Sequence, residues 1–375
     1  MGWFYDFDSF KTLSDDGFEN VKALRGQHTF DNSGLGIRLW VDKFQCEAPM
    51  LLSDIKAILF NSNQIAMLPE VVTNGSIGHY SVKLGKKHSR NTLFNKHSLA
   101  REQQIRAIDA IPKSPRDVVN LTKNPCQGDD VKVAVIDSSF NLTPTQLGEY
   151  QKRIINFSQN PLSEKESHGS KVMSIIAGAD FSIAPKAKLF IARATRSLGC
   201  LVVALLWAAK QRVDIINVSK VIGQSDALTG VPELLQRAVD FCTAKNCLIV
   251  AASSDFSDGP CSALALISQV VSVNSMNSAN SLIFSVVNAG QFSKIDCVTW
   301  GNNIMSLNDF SSGNVSLFNN ASAATPIVAA SLAIFKQMHP NFICMQDLKN
   351  YFFAELCSAH STGGKLWGHG VVSFK

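Results

Sequence analysis

An α/β fold built on a mainly parallel sheet with helices on both faces is what this sequence predicts, and three observations predict it. Residues 131–136 (VKVAVI) are an almost unbroken apolar run ending on Asp137, the pattern of a strand buried on both faces. Helix-like stretches run directly into strand-like ones twice, in CLVVALLWAAKQRVDIINVSK (200–220) and VPELLQRAVDFCTAKNCLIVAA (231–252). Small-residue helical patterns open at His168 and near Ser322, as helices packed closely on a sheet would. Strands alternating with helices argue for a parallel sheet covered on both sides.

The elements follow in order. Residues 1–95 mix strand-like runs, GIRLWV (36–41) and QIAML (64–68), with the helix-like LLSDIKAILF (51–60), and predict a small N-terminal α+β domain. A basic stretch of poor periodicity, GKKHSRNTLFNKHS (85–98), reads as a linker into a second domain over 96–375. There, REQQIRAIDA (101–110) predicts a helix ahead of the 131–136 strand, which delivers Asp137 at its carboxyl end, where open α/β sheets place their ligands. In SHGSKVMSIIAG (167–178), Val172, Met173, Ile175 and Ile176 recur at helical spacing behind Gly169 and Ser170, with His168 at the first turn. IAPKAKLFIARA (183–194) and IDCVTWGNNI (295–304) supply further strands, and GHGVVSF (368–374) a closing one. NNASAATPIVAA (319–330) suits the start of a buried helix, since Pro326 is tolerated where amide donors are orphaned.

Taken singly, Asp137 reads as a turn cap, His168 as a capping or surface residue and Ser322 as a helix N-cap. Taken together they supply the three roles of nucleophilic acyl transfer: a hydroxyl that attacks, an imidazole that moves its proton, and a carboxylate that orients and charges the imidazole. In the order Asp137, His168, Ser322, and over roughly residues 100–375, the chain resembles the subtilisin-like serine protease family. The resemblance implies a serine endopeptidase with those three residues as its catalytic set. It also implies a protein or peptide substrate, and makes residues 1–95 either a pro-domain-like region able to cover the cleft or an accessory, partner-binding domain.

Departures from the family pattern bear on activity. The family ends its AAGN-like motif on an Asn that donates to the oxyanion; here AASSD places Asp255 there. An ionised carboxylate has no donor, and losing one such donor costs about 2.7–4 kcal/mol of transition-state stabilisation. A protonated Asp255, or a hydroxyl from Ser253 or Ser254, would restore it. Asn320-Ala321 replaces Gly-Thr ahead of the serine, so Asn320 must accept a backbone shape that glycine takes freely. The cleft edge, which pairs with an extended substrate by strand addition, is Ser219, Lys220, Val221. Lys220 either favours acidic substrates or snorkels to water, and Lys171 is expected to face solvent. The competing reading is a catalytically impaired protease fold retained as a peptide-binding or regulatory module.

Composition fits a chain with a large core. At 375 residues and 46% hydrophobic content it can bury one sizeable core plus a smaller domain. A net charge of +5, with no dense basic patch beside aromatics, argues against nucleic acid. The apolar run around Leu201–Ala209 is about half a membrane span, so no span is expected. The nine cysteines lack metal-ligand spacing, and the N-terminus has no basic, then apolar, signal pattern. A cytoplasmic location with reduced thiols is the expectation, with non-classical secretion left open. No cofactor is expected; family members commonly hold structural calcium, but no loop here can be assigned to it.

Overall fold

The computed structural model describes the backbone of residues 2–5, 27–32, 35–37, 39–42 and 71–74. It further describes 112–121, 124–142, 153–156, 167–194, 198–219, 231, 233–253, 262–276, 294–308, 313, 315–359 and 367–374. In the N-terminal part, β1 (Gly2–Tyr5), β2 (Gln27–Asn32), β3 (Leu35–Ile37), β4 (Leu39–Asp42) and β5 (Val71–Asn74) are all antiparallel in their pairings. The strand expected over 36–41 is thus divided between β3, which pairs with β2, and β4, which pairs with β1. The expected elements at 51–60, 64–68 and 101–110 lie outside the described residues, as does the 85–98 linker.

The rest follows the helix–strand rhythm. In chain order come α1 (Pro115–Val118), β6 (Lys132–Asp137), β7 (Ile154–Asn156), α2 (His168–Ile176), β8 (Lys188–Arg193), α3 (Leu198–Lys210) and β9 (Ile215–Val218). Then come α4 (Glu233–Ala244), β10 (Leu248–Ala252), β11 (Val271–Met276), β12 (Cys297–Trp300), β13 (Ile304–Leu307) and β14 (Val315–Phe318). The chain closes with α5 (Ala321–Met338), α6 (Met345–Leu356), β15 (Cys357–Ser358) and β16 (Val371–Val372). A nine-stranded sheet in the order β15-β16-β12-β11-β10-β9-β6-β8-β7 forms the centre. Every neighbouring pair in it is parallel except β15–β16.

Both faces of that sheet are covered, which is why its strands read as continuous apolar runs. Ala134 and Ile136 of β6 face one core, shared with α3 and α4; Val133 and Val135 face the other, shared with α2, α5 and α6. Each fully buried Val, Ile or Leu contributes about 1.5–3 kcal/mol relative to exposure. α5 runs beneath the second core with every residue from Ala321 to Phe335 buried. Its many alanines let the helix lie close against β9, β10, β11 and β12. Pro326 is the sixth residue of this helix, one turn further in than the sequence suggests. It cannot donate to the Ser322 carbonyl, which leaves the first turn less tied than the rest.

Candidate active site

Asp137 is the last residue of β6 and is 2% exposed. Its Oδ1 accepts the Ser138 amide at 2.7 Å, and its Oδ2 lies 2.8 Å from Nδ1 of His168. Arg193, also buried, is the register partner of Asp137 on β8, and its Nε donates to the Ser138 carbonyl at 2.9 Å. A guanidinium and a carboxylate therefore share one strand end, and the turn leaving Asp137 is held from both sides.

His168 opens α2 and is brought to Asp137 by a close approach of two backbones. The Gly169 amide donates to the Ser139 carbonyl at 2.8 Å. A Cβ at Gly169 would stand 2.5 Å from Phe140 Cε1 and 2.6 Å from the Ser139 oxygen, so the position accepts only glycine without displacement. Ser170 Oγ adds a second tie, accepting from the Asn141 amide at 2.8 Å. With Nδ1 on the carboxylate, the imidazole turns Nε2 outward, and its side chain keeps 32% of its surface exposed. Phe318, at the end of β14, packs edge-on against it with ring centroids 5.1 Å apart.

Ser322 is the second residue of α5 and is 6% exposed. Its hydroxyl donates to the Ser219 carbonyl at 2.7 Å and not to His168. The carbonyl belongs to the residue just after β9, whose side chain is fixed by Asn217 Nδ2 at 2.8 Å. Asn320 adopts φ 73° and ψ −168°, the glycine-like backbone the sequence demands of it. Its carbonyl accepts the Ala323 and Ala324 amides at 2.9 and 3.2 Å, so helical pairing starts there and the Ser322 amide is one of the orphan donors of the first turn. An orphan amide at a helix N-terminus suits a developing negative charge.

Asp255, Ser254, Lys220 and Val221 lie outside the described residues. Ser253 is fully buried just after β10, and among the described residues its Oγ has no hydrogen-bond partner. Lys171 does not simply face solvent: its Nζ sits over the Phe318 ring, 5.6 Å from the centroid, and burial pushes its ammonium below the ordinary lysine value. Phe318 and Arg193 escaped the sequence reading. Arg193 left a trace there, as the one charge inside the apolar run LFIARA. Among the described residues, no group of three or more His, Cys, Asp or Glu could hold a metal ion.

The structure thus holds a buried carboxylate on an imidazole and a serine at the start of a helix, on one parallel sheet with helices on both faces. The profile of the subtilase family, peptidase class S8, matches residues 128–353, and the chain belongs to that family. It is 28% identical over 258 residues to Subtilisin Savinase of Lederbergia lenta, across 66% of this chain and 90% of that protein. It is 29% identical over 272 residues to an intracellular serine protease of Paenibacillus polymyxa, across 64% of this chain and 76% of that one. Two solved structures share the fold. The prenylagaramide maturation protease PagA matches with TM-score 0.55 and 20% identity, over 70% of this chain and 96% of its own. MycP1 with its N-terminal propeptide removed matches with TM-score 0.54 and 20% identity, over 69% and 94%.

Proposed function

We propose that this chain is a serine endopeptidase that hydrolyses peptide bonds through Asp137, His168 and Ser322. The observation that carries the reading is the 2.8 Å contact between His168 Nδ1 and a buried Asp137 carboxylate, in a chain of the subtilase family. Asp137 holds the imidazole in the tautomer that protonates Nδ1, which leaves Nε2 as the base. Ser322 Oγ loses its proton to Nε2 and attacks the peptide carbonyl. The imidazolium, paired with a carboxylate out of water, then gives that proton to the leaving amine. Water hydrolyses the resulting acyl-enzyme by the same proton path in reverse.

The Ser322 amide stabilises the tetrahedral oxyanion. A second donor comes from the Asp255 position: Asp255 itself when protonated, or a neighbouring hydroxyl, of which Ser253 Oγ is buried and has no partner among the described residues. The substrate lies extended along the edge that begins at Ser219. Its N–H takes the Ser219 carbonyl now held by the nucleophile, so occupation of the cleft frees Ser322 Oγ to turn toward His168.

Labelling with a fluorophosphonate probe tests this directly. The native chain is expected to label and the Ser322→Ala chain not to, between pH ~5 and 9. Labelling that strengthens toward low pH identifies protonated Asp255 as the second donor. Absence of labelling in the full chain and in one beginning near residue 96 refutes the peptidase reading and leaves a peptide-binding module.

A further inference from the structure

We infer that Lys171 selects substrates carrying Asp or Glu in the first two residues on the leaving-group side of the cleaved bond. This rests on the peptidase reading for the position of the cleft, but not on the chain being active.

The placement follows from the chemistry of the imidazole. The acyl side of a substrate runs along the edge that Ser219 opens, where the Ser322 hydroxyl now sits. His168 must reach the departing nitrogen, so whatever flanks the imidazole away from Ser219 meets the leaving chain. We take that flank to be Phe318, which is edge-on to the His168 ring at the end of the β13–β14 hairpin that packs on α2. Ser167 Oγ, donating to Asn308 Oδ1 at 3.0 Å, ties the entry of α2 to the end of β13. Lys171 stands one turn beyond His168 on the same helix and lays its ammonium over Phe318. His168, Phe318 and Lys171 thus form one continuous wall, with aromatic surface for the chain and a cation at its far end.

The cation has no acidic partner among the described residues. No carboxylate of theirs lies within ion-pair distance of Lys171; the lysine ion pairs among them are Lys186–Asp129, Lys188–Asp130, Lys294–Asp296 and Lys336–Asp214. Burial has already removed part of its water, and the Phe318 face replaces that water only in part. A half-desolvated ammonium gains more from an incoming carboxylate than an exposed lysine does. An arriving basic residue meets the opposite penalty. The sequence reading left Lys171 as a solvated side chain because its neighbour, Phe318, is far away in sequence.

The experiment digests a peptide library, made by chymotryptic cleavage of a proteome and dimethylated at its amines so that lysine keeps its charge, and sequences the new N-termini. These report the residues after the cleaved bond whatever precedes it. Asp and Glu are expected to be enriched about tenfold over Asn and Gln at the first or second position, less at high salt. Lys171→Met brings the ratio to within about twofold of one, Lys171→Arg keeps it, and Lys171→Glu inverts it toward Lys and Arg. In parallel, the Ser322→Ala chain is immobilised and the library peptides it retains are sequenced, with the same four residues at position 171. Cleavage without acidic enrichment overturns the assignment, as does enrichment that survives Lys171→Met. If the native chain cleaves nothing, the peptidase reading falls, and the retained peptides decide: acidic enrichment lost in Lys171→Met upholds the assignment, and its absence overturns it.

Discussion

Asn320→Gly should stabilise the fold, although it removes a side chain. Asn320 sits at φ 73° and ψ −168°, a region in which a Cβ is strained and which glycine occupies freely. Holding a residue there costs about 1–3 kcal/mol. The Asn side chain recovers none of this at the helix end, since it makes no capping hydrogen bond. Glycine raises the entropy of the unfolded chain by about 0.5–1 kcal/mol, which sets against the gain. The net expectation is about 0.5–2 kcal/mol of added stability, or an increase of roughly 1–8 °C in Tm for a domain of this size. Urea unfolding should be followed in a Ser322→Ala background, so that self-digestion cannot pull the equilibrium. Asn320→Ala is the control: it keeps a Cβ without the Asn tolerance of positive φ and should lose stability. A lower midpoint for Asn320→Gly at unchanged m-value, or an Asn320→Ala chain as stable as the native one, would refute the strain argument.

Other residues make further tests. Gly169→Ala places a methyl 2.6 Å from a backbone oxygen that cannot step aside, so α2 must move; about 1–3 kcal/mol of stability and roughly 100-fold in fluorophosphonate labelling rate should go with it. Retained labelling would mean that the α2 start is not what positions His168. Asp137→Asn presents an amide to Nδ1 and reverses the tautomer, and hydrolysis should fall by about four orders of magnitude with the urea midpoint measured alongside. A loss under tenfold would remove Asp137 from the proton path. Burial, and secondarily the Asp214 carboxylate, pushes the Cys247 thiol from its ordinary 9.0 up to about 12. The folded chain keeps a proton there that the unfolded chain releases, so this stability is full below pH ~9 and falls by about 1.4 kcal/mol per pH unit as pH rises toward 12. In Cys247→Ala that part of the slope of unfolding free energy against pH should vanish; an unchanged slope sinks the assignment.

Much of the fold was legible because burial on both faces writes itself into the strands. The runs ending at Asp137, Val218 and Ala252 are apolar without alternation, and each is a central strand of the sheet. Cys242, Cys247 and Cys297 are buried as small hydrophobes, whereas Cys344 is exposed and Cys126 and Cys357 are half-buried. Asn320 was legible too, since few residues other than Gly accept a positive φ. What could not be read were contacts across long separations and the direction of single torsions. Lys171 over Phe318 joins two elements far apart in the chain, and nothing in HGSK announces an aromatic partner. The position of Pro326 one turn inside α5 follows from where the glycine-like bend falls, which sequence spacing alone leaves a few residues loose.

The proposed site divides into a rigid half and an adjustable half. Asp137 and His168 are fixed by strand pairing, by the Arg193–Ser138 contact and by the glycine-dependent approach at Gly169. Ser322 is fixed only by its place at the start of α5, with the bend at Asn320 behind it and no helical donor for its carbonyl from Pro326. Its hydroxyl rests on the Ser219 carbonyl. Turning it toward an imidazole exchanges one neutral hydrogen bond for another, and each contributes a net of only about 0.5–1.5 kcal/mol. In the proposed mechanism a single staggered torsion makes that exchange. A substrate amide that takes the Ser219 carbonyl removes the competitor, so binding and alignment of the nucleophile become one event. The resting position of Ser322 therefore weighs little against catalysis, whereas a broken Asp137–His168 contact would weigh heavily, because nothing mobile in the site could restore it.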